Sequence, residues 1–321
     1  MAILKYVGKR LLTIAVSIVI ITIITYALMY AAPGDFFDIQ RFQMTGSTSA
    51  GLTQEQLEIL RRGFEEKYGL DKPVWQQILI YLKGAIRFKF GPGFYQPTSN
   101  IEDLIKEKFP VTFTLSMLAV ALAILLGIPL GILAALKRNT VVDYGANFLG
   151  MIGQLIPSYV VGIFFVALFS VKLGWLPSSG WGGLKQAIMP VVALSLLPLA
   201  AIVRFMRVSL LDTLNQDYVR TAYAKGGTER TVIMKHALRN SLIPIVTILG
   251  PQLAFLFAGS AVFIENMFRV PGLGQLFINA AYYRDYPLLV TSTFVLALTI
   301  MLMNLIVDIV YAVLDPRIKL Q

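Results

Sequence analysis

The chain has 321 residues, 56% of them hydrophobic and only 14% charged, with a formal net charge of +10 and a mean hydropathy of +0.70. Few soluble domains of this length are so apolar, and the basic excess lies around apolar runs, not on a soluble basic face that would suit nucleic acid. There is no cysteine and a single histidine, which excludes a disulfide framework, a thiolate metal site and a cysteine nucleophile.

Six charge-free windows organise the chain. The first, Leu11 to Gly34, is 24 residues long and follows Lys5, Lys9 and Arg10. It exceeds the apolar run of a secretory signal and lacks a convincing small-x-small cleavage site, so it reads as a retained membrane helix. Residues 35–108 form a long segment before the next window. Within it Leu52 to Tyr68 has the pattern of an amphipathic helix, with Leu57, Leu60 and Phe64 striping a charged surface. Gly69 to Pro73 breaks it. Trp75 to Phe90 is a second amphipathic stretch that suits the membrane interface, and Gly91-Pro92-Gly93 ends it. The segment is either a small cap or a surface for an extracytoplasmic partner.

Phe109 to Leu136 and Tyr144 to Val171 are windows of 28 residues each, joined by a link containing Lys137 and Arg138. The loop 172–185 holds Trp175 and Trp181 among glycine and proline, a compact turn at the interface. Gln186 to Val203 is an 18-residue window, Asn240 to Ile264 spans 25 residues, and Tyr286 to Val307 spans 22, against roughly 20 needed to cross hydrocarbon. The loop 265–285 contains Pro271-Gly-Leu-Gly274, a turn after the fifth helix. Pro129, Pro157, Pro190, Pro198, Pro244 and Pro251 fall inside windows and are expected to kink or open them. The fold class is therefore an all-α membrane protein with six transmembrane helices and a helical segment between the first two. Segments before the first window, after the second, after the fourth and after the sixth carry 14 basic and 6 acidic residues, against 14 and 12 for the others. The positive-inside rule then puts both termini in the cytoplasm.

The most distinctive polar stretch is Asp217-Tyr-Val-Arg-Thr-Ala-Tyr-Ala-Lys-Gly226, a helix-forming decapeptide in the cytoplasmic loop 204–240. Asp217 suits capping or complementing a helix N-terminus, Lys225 suits the opposite end, and Gly226 is a natural stop. Tyr218, Ala222 and Lys225 fall at helical spacing on one face. An ordered polar helix at this place reads as a docking knob, with Val219, Arg220 and Thr221 completing it. Gln154, Ser158, Ser195, Gln252 and Asn304 are polar groups within apolar windows; they suit either a water-filled route or helix–helix hydrogen bonds.

Chemistry is otherwise sparse. The sequence has no Gly-x-x-x-x-Gly-Lys-Ser/Thr loop, no Gly-x-Ser-x-Gly and no His-Glu-x-x-His, and His236 stands among basic residues. Asp308, Glu265 and Arg204 lie towards window edges, not mid-span as in ion-coupled carriers. An enzyme is disfavoured, and a self-sufficient carrier or channel stands second to a subunit driven from outside.

Ordered along the chain are Ala32-Pro-Gly-Asp35, Phe90-Gly-Pro-Gly-Phe94, Ala134-Ala-Leu-Lys-Arg138, Leu173-Gly-Trp-Leu-Pro177, Arg220-Thr-Ala-x-x-x-Gly226, Lys235-His-Ala-Leu-Arg239, Pro271-Gly-Leu-Gly274, Arg284-Asp-Tyr286 and Leu314-Asp-Pro-Arg317. Together they resemble the permease subunits of ATP-binding-cassette importers, of the oligopeptide/dipeptide B type. Arg220 replaces the glutamate of the superfamily's general loop motif, and its Leu-Pro element is missing. The resemblance implies a type I importer fold, with residues 1–34 as a first helix, 35–108 outside, 109–315 as the permease core and 316–321 as a tail. It implies a non-catalytic subunit of a prokaryotic cytoplasmic membrane. Its expected partners are a homologous permease, two ATP-binding subunits that hold ATP and Mg, an extracytoplasmic solute-binding protein and the bilayer. No cofactor is expected in this chain. Peptides are the implied cargo, with nickel-chelates and oligosaccharides carried by similar architectures.

Overall fold

An apolar run in lipid must satisfy every backbone group internally, and helix is the open-chain solution. The computed structural model describes residues 2–32, 54–245, 249, 252, 256–257 and 261–314. Among these, every regular element is helical. Residues 35–53 of the predicted outer segment, much of the fifth window and the tail 316–321 lie outside the described residues. The order is α1 (Ala2–Ala31), α2 (Gln54–Tyr68), α3 (Val74–Ile86), α4 (Ile101–Leu136), α5 (Val141–Leu155) and α6 (Ser158–Phe165), the last continued by a π-helical turn, Val166–Lys172. Then come α7 (Leu184–Leu214), α8 (Asp217–Ala224), α9 (Glu229–Thr231), a second π turn (Val232–Ala237), α10 (Leu238–Ser241), α11 (Ala261–Phe268), α12 (Leu273–Tyr283) and α13 (Tyr286–Leu314).

Among the described residues four helices are long and apolar enough to cross a membrane: α1, α4, α7 and α13. The protein is thus a multi-pass, all-helical membrane protein. The third window differs from a single straight span: α5 and the helix from Ser158 to Lys172 meet at 104°. The cause is Pro157. It pushes Ile156 into extended backbone (φ −95°, ψ 119°) and itself starts α6 with φ −55°. By contrast Pro190 and Pro198 lie inside α7, which continues as one 31-residue helix, so neither proline breaks the span. The sequence windows also understate helix length, because α4 begins at Ile101 and α7 ends at Leu214, both beyond the apolar limits.

Two compact units divide the chain. The first comprises residues 1–7, 113–270 and 300–321. Its centre packs α5 against α7 through small residues. A side chain on Gly153 would bring its Cβ to 2.5 Å from the Leu196 carbonyl oxygen, so only glycine permits this approach. Ala123, Ile202, Val203, Met206, Leu210 and Ala237 build the adjoining core.

The second unit comprises residues 8–112 and 271–299. Phe64 of α2 meets Phe94 edge-on at 4.8 Å, with Tyr68 alongside. Two carboxylates hold the intervening turn. Glu102 accepts from the Phe90 and Gly91 amides at 3.1 and 3.2 Å. Asp285, fully buried, accepts from the Tyr95 amide at 2.9 Å and caps α13 through the Leu288 amide at 3.1 Å. Tyr30 at the end of α1 donates to Gln77 of α3 at 2.8 Å. Helix α3 buries Gln77 and turns Trp75, Leu79 and Ile86 outward, an inverted pattern that fits a helix lying at a membrane interface. Helix α12 was not expected: Pro271-Gly272 starts a helix, not a simple turn. Leu273, Leu276, Phe277 and Ala280 carry its helical period, the signal that identifies it.

Candidate functional site

Helix α7 delivers the chain to the site. After Asn215, Gln216 becomes extended (φ −76°, ψ 148°) and α8 starts at Asp217, whose carboxylate lies in the first turn where the helix dipole favours it. Asp217 does not cap the helix; Gln216 occupies that position without a side-chain bond. The eight residues are far too few to be stable alone, so their order comes from contacts. Val219 supplies the anchor, with no solvent exposure. Tyr218 is half-exposed and accepts a 2.7 Å hydrogen bond from Asn240 at the far end of the return segment.

The C-terminus is a Schellman motif. The Gly226 amide donates to the Tyr223 carbonyl at 2.9 Å, and the Gly227 amide to the Ala222 carbonyl at 3.2 Å. Gly226 has φ +83°, the left-handed region that side chains resist. Thr228 then opens α9, its hydroxyl accepting from the Thr231 amide at 3.4 Å. The π turn buries Val232 and Ala237 against the core. Ser209 of α7 donates to the Ser241 carbonyl at 3.0 Å, fastening the return segment to the helix that led out. A cavity of about 520 Å³ lies in this corner, between Phe205, Asp212, Tyr218, Asn240 and Pro244.

The result is a short, fixed helix on the end of a long one, presenting Tyr218, Arg220, Thr221, Tyr223 and Lys225 to solvent. Two details correct the sequence reading. Ala222 is half-buried between the exposed Tyr218 and Lys225, and Val219, expected on the knob, faces wholly inward. Tyr223, exposed at 41%, joins the surface instead. Arg220 approaches Asp217 at 3.9 Å, but both are open to water and the pair adds little. His236 is exposed.

A stronger ion pair lies on the α5–α7 seam and was not anticipated. Arg207 grips Asp143 in bidentate fashion, Nε to Oδ1 at 2.5 Å and Nη2 to Oδ2 at 2.7 Å. Asp143 is 2% exposed and also accepts from the Asn139 amide at 3.0 Å and from Asn147 at 2.8 Å. The available signal was an acid and an arginine, each just beyond the edge of a window, on helices whose small residues favour pairing. One helical turn away Arg204 donates to Gln154 at 3.2 Å.

The five polar residues expected within spans occupy different local settings. Gln154 is exposed beside a cavity of about 240 Å³. Ser158 is half-buried at the start of α6, and Asn304 is half-buried on α13. Ser195 is buried and donates to Val192 of its own helix at 2.8 Å. Gln252 has a buried Oε1 with no hydrogen-bond partner among the described residues. No group of three or more potential metal ligands occurs among the described residues.

Comparison with known proteins places this geometry. Residues 127–320 match the family described as "Binding-protein-dependent transport system inner membrane component", and residues 3–116 match the N-terminal part of such membrane components. A dipeptide transport system permease protein of Bacillus subtilis is 37% identical over 316 residues, covering 98% of both chains. Oligopeptide transport system permease proteins of Haemophilus influenzae and Escherichia coli K12 are 38% and 39% identical over 318 residues, covering 98% of this chain and 99% of each relative. Among solved structures, the inward-facing MetNI methionine ABC transporter has a TM-score of 0.54 at 18% identity, over 66% of this chain and 96% of that one, a likeness of fold.

Proposed function

This chain belongs to the binding-protein-dependent transport system inner membrane components, and from that membership we propose that it is a permease subunit of an ATP-driven peptide importer. A second, similar permease completes the pathway, and two cytoplasmic ATP-binding subunits supply the energy with ATP and Mg. An extracytoplasmic solute-binding protein delivers the cargo. The observation that carries the reading is α8, a helix fixed at both ends yet exposed along one side. Lipid and internal packing give no reason for such a helix; a groove on an ATPase does. Near-full-length identity to dipeptide and oligopeptide permeases supports the cargo class.

Association decides the matter. The chain should co-purify with an ATP-hydrolysing subunit, and the reconstituted complex should take up peptides. Tyr218→Ala removes an exposed aromatic anchor and should weaken that association by roughly 1–3 kcal/mol, about fivefold to 150-fold in Kd. Unchanged affinity would show that α8 is not the docking surface. Transport by this chain alone in liposomes would replace the reading with that of a self-sufficient carrier.

With both termini cytoplasmic, α8 and α9 lie inside the cell and the turn before α4 lies outside. The cysteine-free sequence makes the check direct. A cysteine replacing Ser99 should react with a membrane-impermeant thiol reagent in sealed cells, and one replacing Thr228 should react only after permeabilisation. The opposite pattern inverts the topology and removes α8 from the ATPase.

A further inference from the structure

Helices α5 and α7 each place polar side chains on their shared seam, and their two arginines are treated differently. Arg207 is neutralised by Asp143. Arg204, one turn towards the membrane centre, meets an amide and a ring: Gln154 Oε1 at 3.2 Å and the Phe205 face at 5.3 Å. No carboxylate lies within ion-pair distance of Arg204 among the described residues, and Asp143 is already committed to Arg207 and Asn147. Arg204, Gln154 and Asn147 line the cavity of about 240 Å³ beside the bend at Pro157. Gln154 Nε2 makes no hydrogen bond among the described residues.

A guanidinium retains spare donors after one amide bond, and its planar fork matches a carboxylate. An adjacent amide N–H completes a donor set for a single anionic group. Arg204 and Gln154 are both exposed on this chain, so the cavity is open to a diffusing anion. We infer that the α5–α7 cavity is a carboxylate site for the transported solute, with Arg204 and Gln154 as its donors. The inference rests on the peptide-importer reading, because the C-terminal carboxylate is the negative charge that every unmodified peptide shares. The site would hold that end regardless of side chains, a specificity element for free peptide acids on this subunit.

The test uses the assembled complex in nanodiscs, with Met151→Cys as a reporter on the cavity wall in a chain without other cysteines. Thiosulfonates bearing a sulfonate or a trimethylammonium group are compared. The sulfonate reagent should be favoured, and adding Arg204→Gln should lower that preference about tenfold. Arg204→Lys should retain part of it. Millimolar trialanine should slow the sulfonate reaction, and trialanine amide should not. Equal reagent preference with and without Arg204 overturns the site. Equal protection by the acid and the amide overturns the carboxylate assignment. Protection by phosphatidylglycerol nanodiscs over phosphatidylcholine ones, with none from trialanine, assigns the cavity to lipid phosphate and overturns it too. Peptide import by the unmodified complex, measured in parallel, keeps the readings separate. Import without carboxylate protection sinks this site alone, whereas absence of import sinks the peptide reading.

Discussion

Gly226→Val should leave the protein folded and the ATPase running while uptake falls to background. At Gly226 the backbone has φ +83°, and an added Cβ would meet nothing within 4 Å. The cost is therefore conformational, not steric crowding, on the order of 1–3 kcal/mol for a β-branched residue held there. Relief comes by leaving the left-handed region, which breaks the two bonds from Gly226 and Gly227 to Tyr223 and Ala222. Helix α8 then loses its C-terminal stop, and its direction relative to the return segment is no longer set. The membrane helices do not depend on that turn, so thermal unfolding should match wild type. Gly226→Asn is the discriminating control, because asparagine tolerates the left-handed region and should preserve uptake. Wild-type uptake in the valine variant would mean that the geometry of α8 is irrelevant to transport.

The second large effect belongs to Asp143→Ala. This variant leaves Arg207, with about one fifth of its side chain exposed, facing a seam built for its partner. Breaking a buried pair from one side usually costs about 3–5 kcal/mol, because the remaining charge is uncompensated. The smaller end applies here, since Arg207 keeps some contact with water. The Asn139 amide loses its acceptor as well. A drop of several degrees in the unfolding midpoint in detergent is expected, accompanied by loss of uptake. Asp143→Ala combined with Arg207→Leu should recover most of the stability, since the orphaned charge is gone. If the single variant melts with wild type, the clasp contributes nothing to the seam.

Much of this architecture was legible because lipid imposes a simple rule. Charge-free runs of about 20 residues must be helices, and α1, α4, α7 and α13 occupy the windows that announce them. Helix α8 was visible from Asp217 and Gly226, which mark its ends. What stayed hidden depended on neighbours. The 104° bend turns on Pro157, yet Pro190 and Pro198 leave α7 unbroken, and local sequence does not separate these cases. Val219 looks no different from the exposed residues beside it until the return segment is in place. The Asp143–Arg207 grip joins positions 64 apart in sequence, a pairing that only the α5–α7 approach reveals. Helix α12 is masked by its first residues, because Pro271-Gly272 is a turn signature that here opens a helix.

The unbroken course of α7 has a mechanical corollary. The helix is 31 residues long, about 46 Å along its course, with Pro190 and Pro198 in its first half. Arg207 fastens it to α5 about 10 Å from its Leu214 end and about 34 Å from Leu184. The close approach of Gly153 to Leu196 and Ala200 holds α7 to α5 at a second level, so the long helix is fastened at two heights. A push on the Leu214 end, where α8 hangs, is therefore shared with α5 and does not pass along α7 alone.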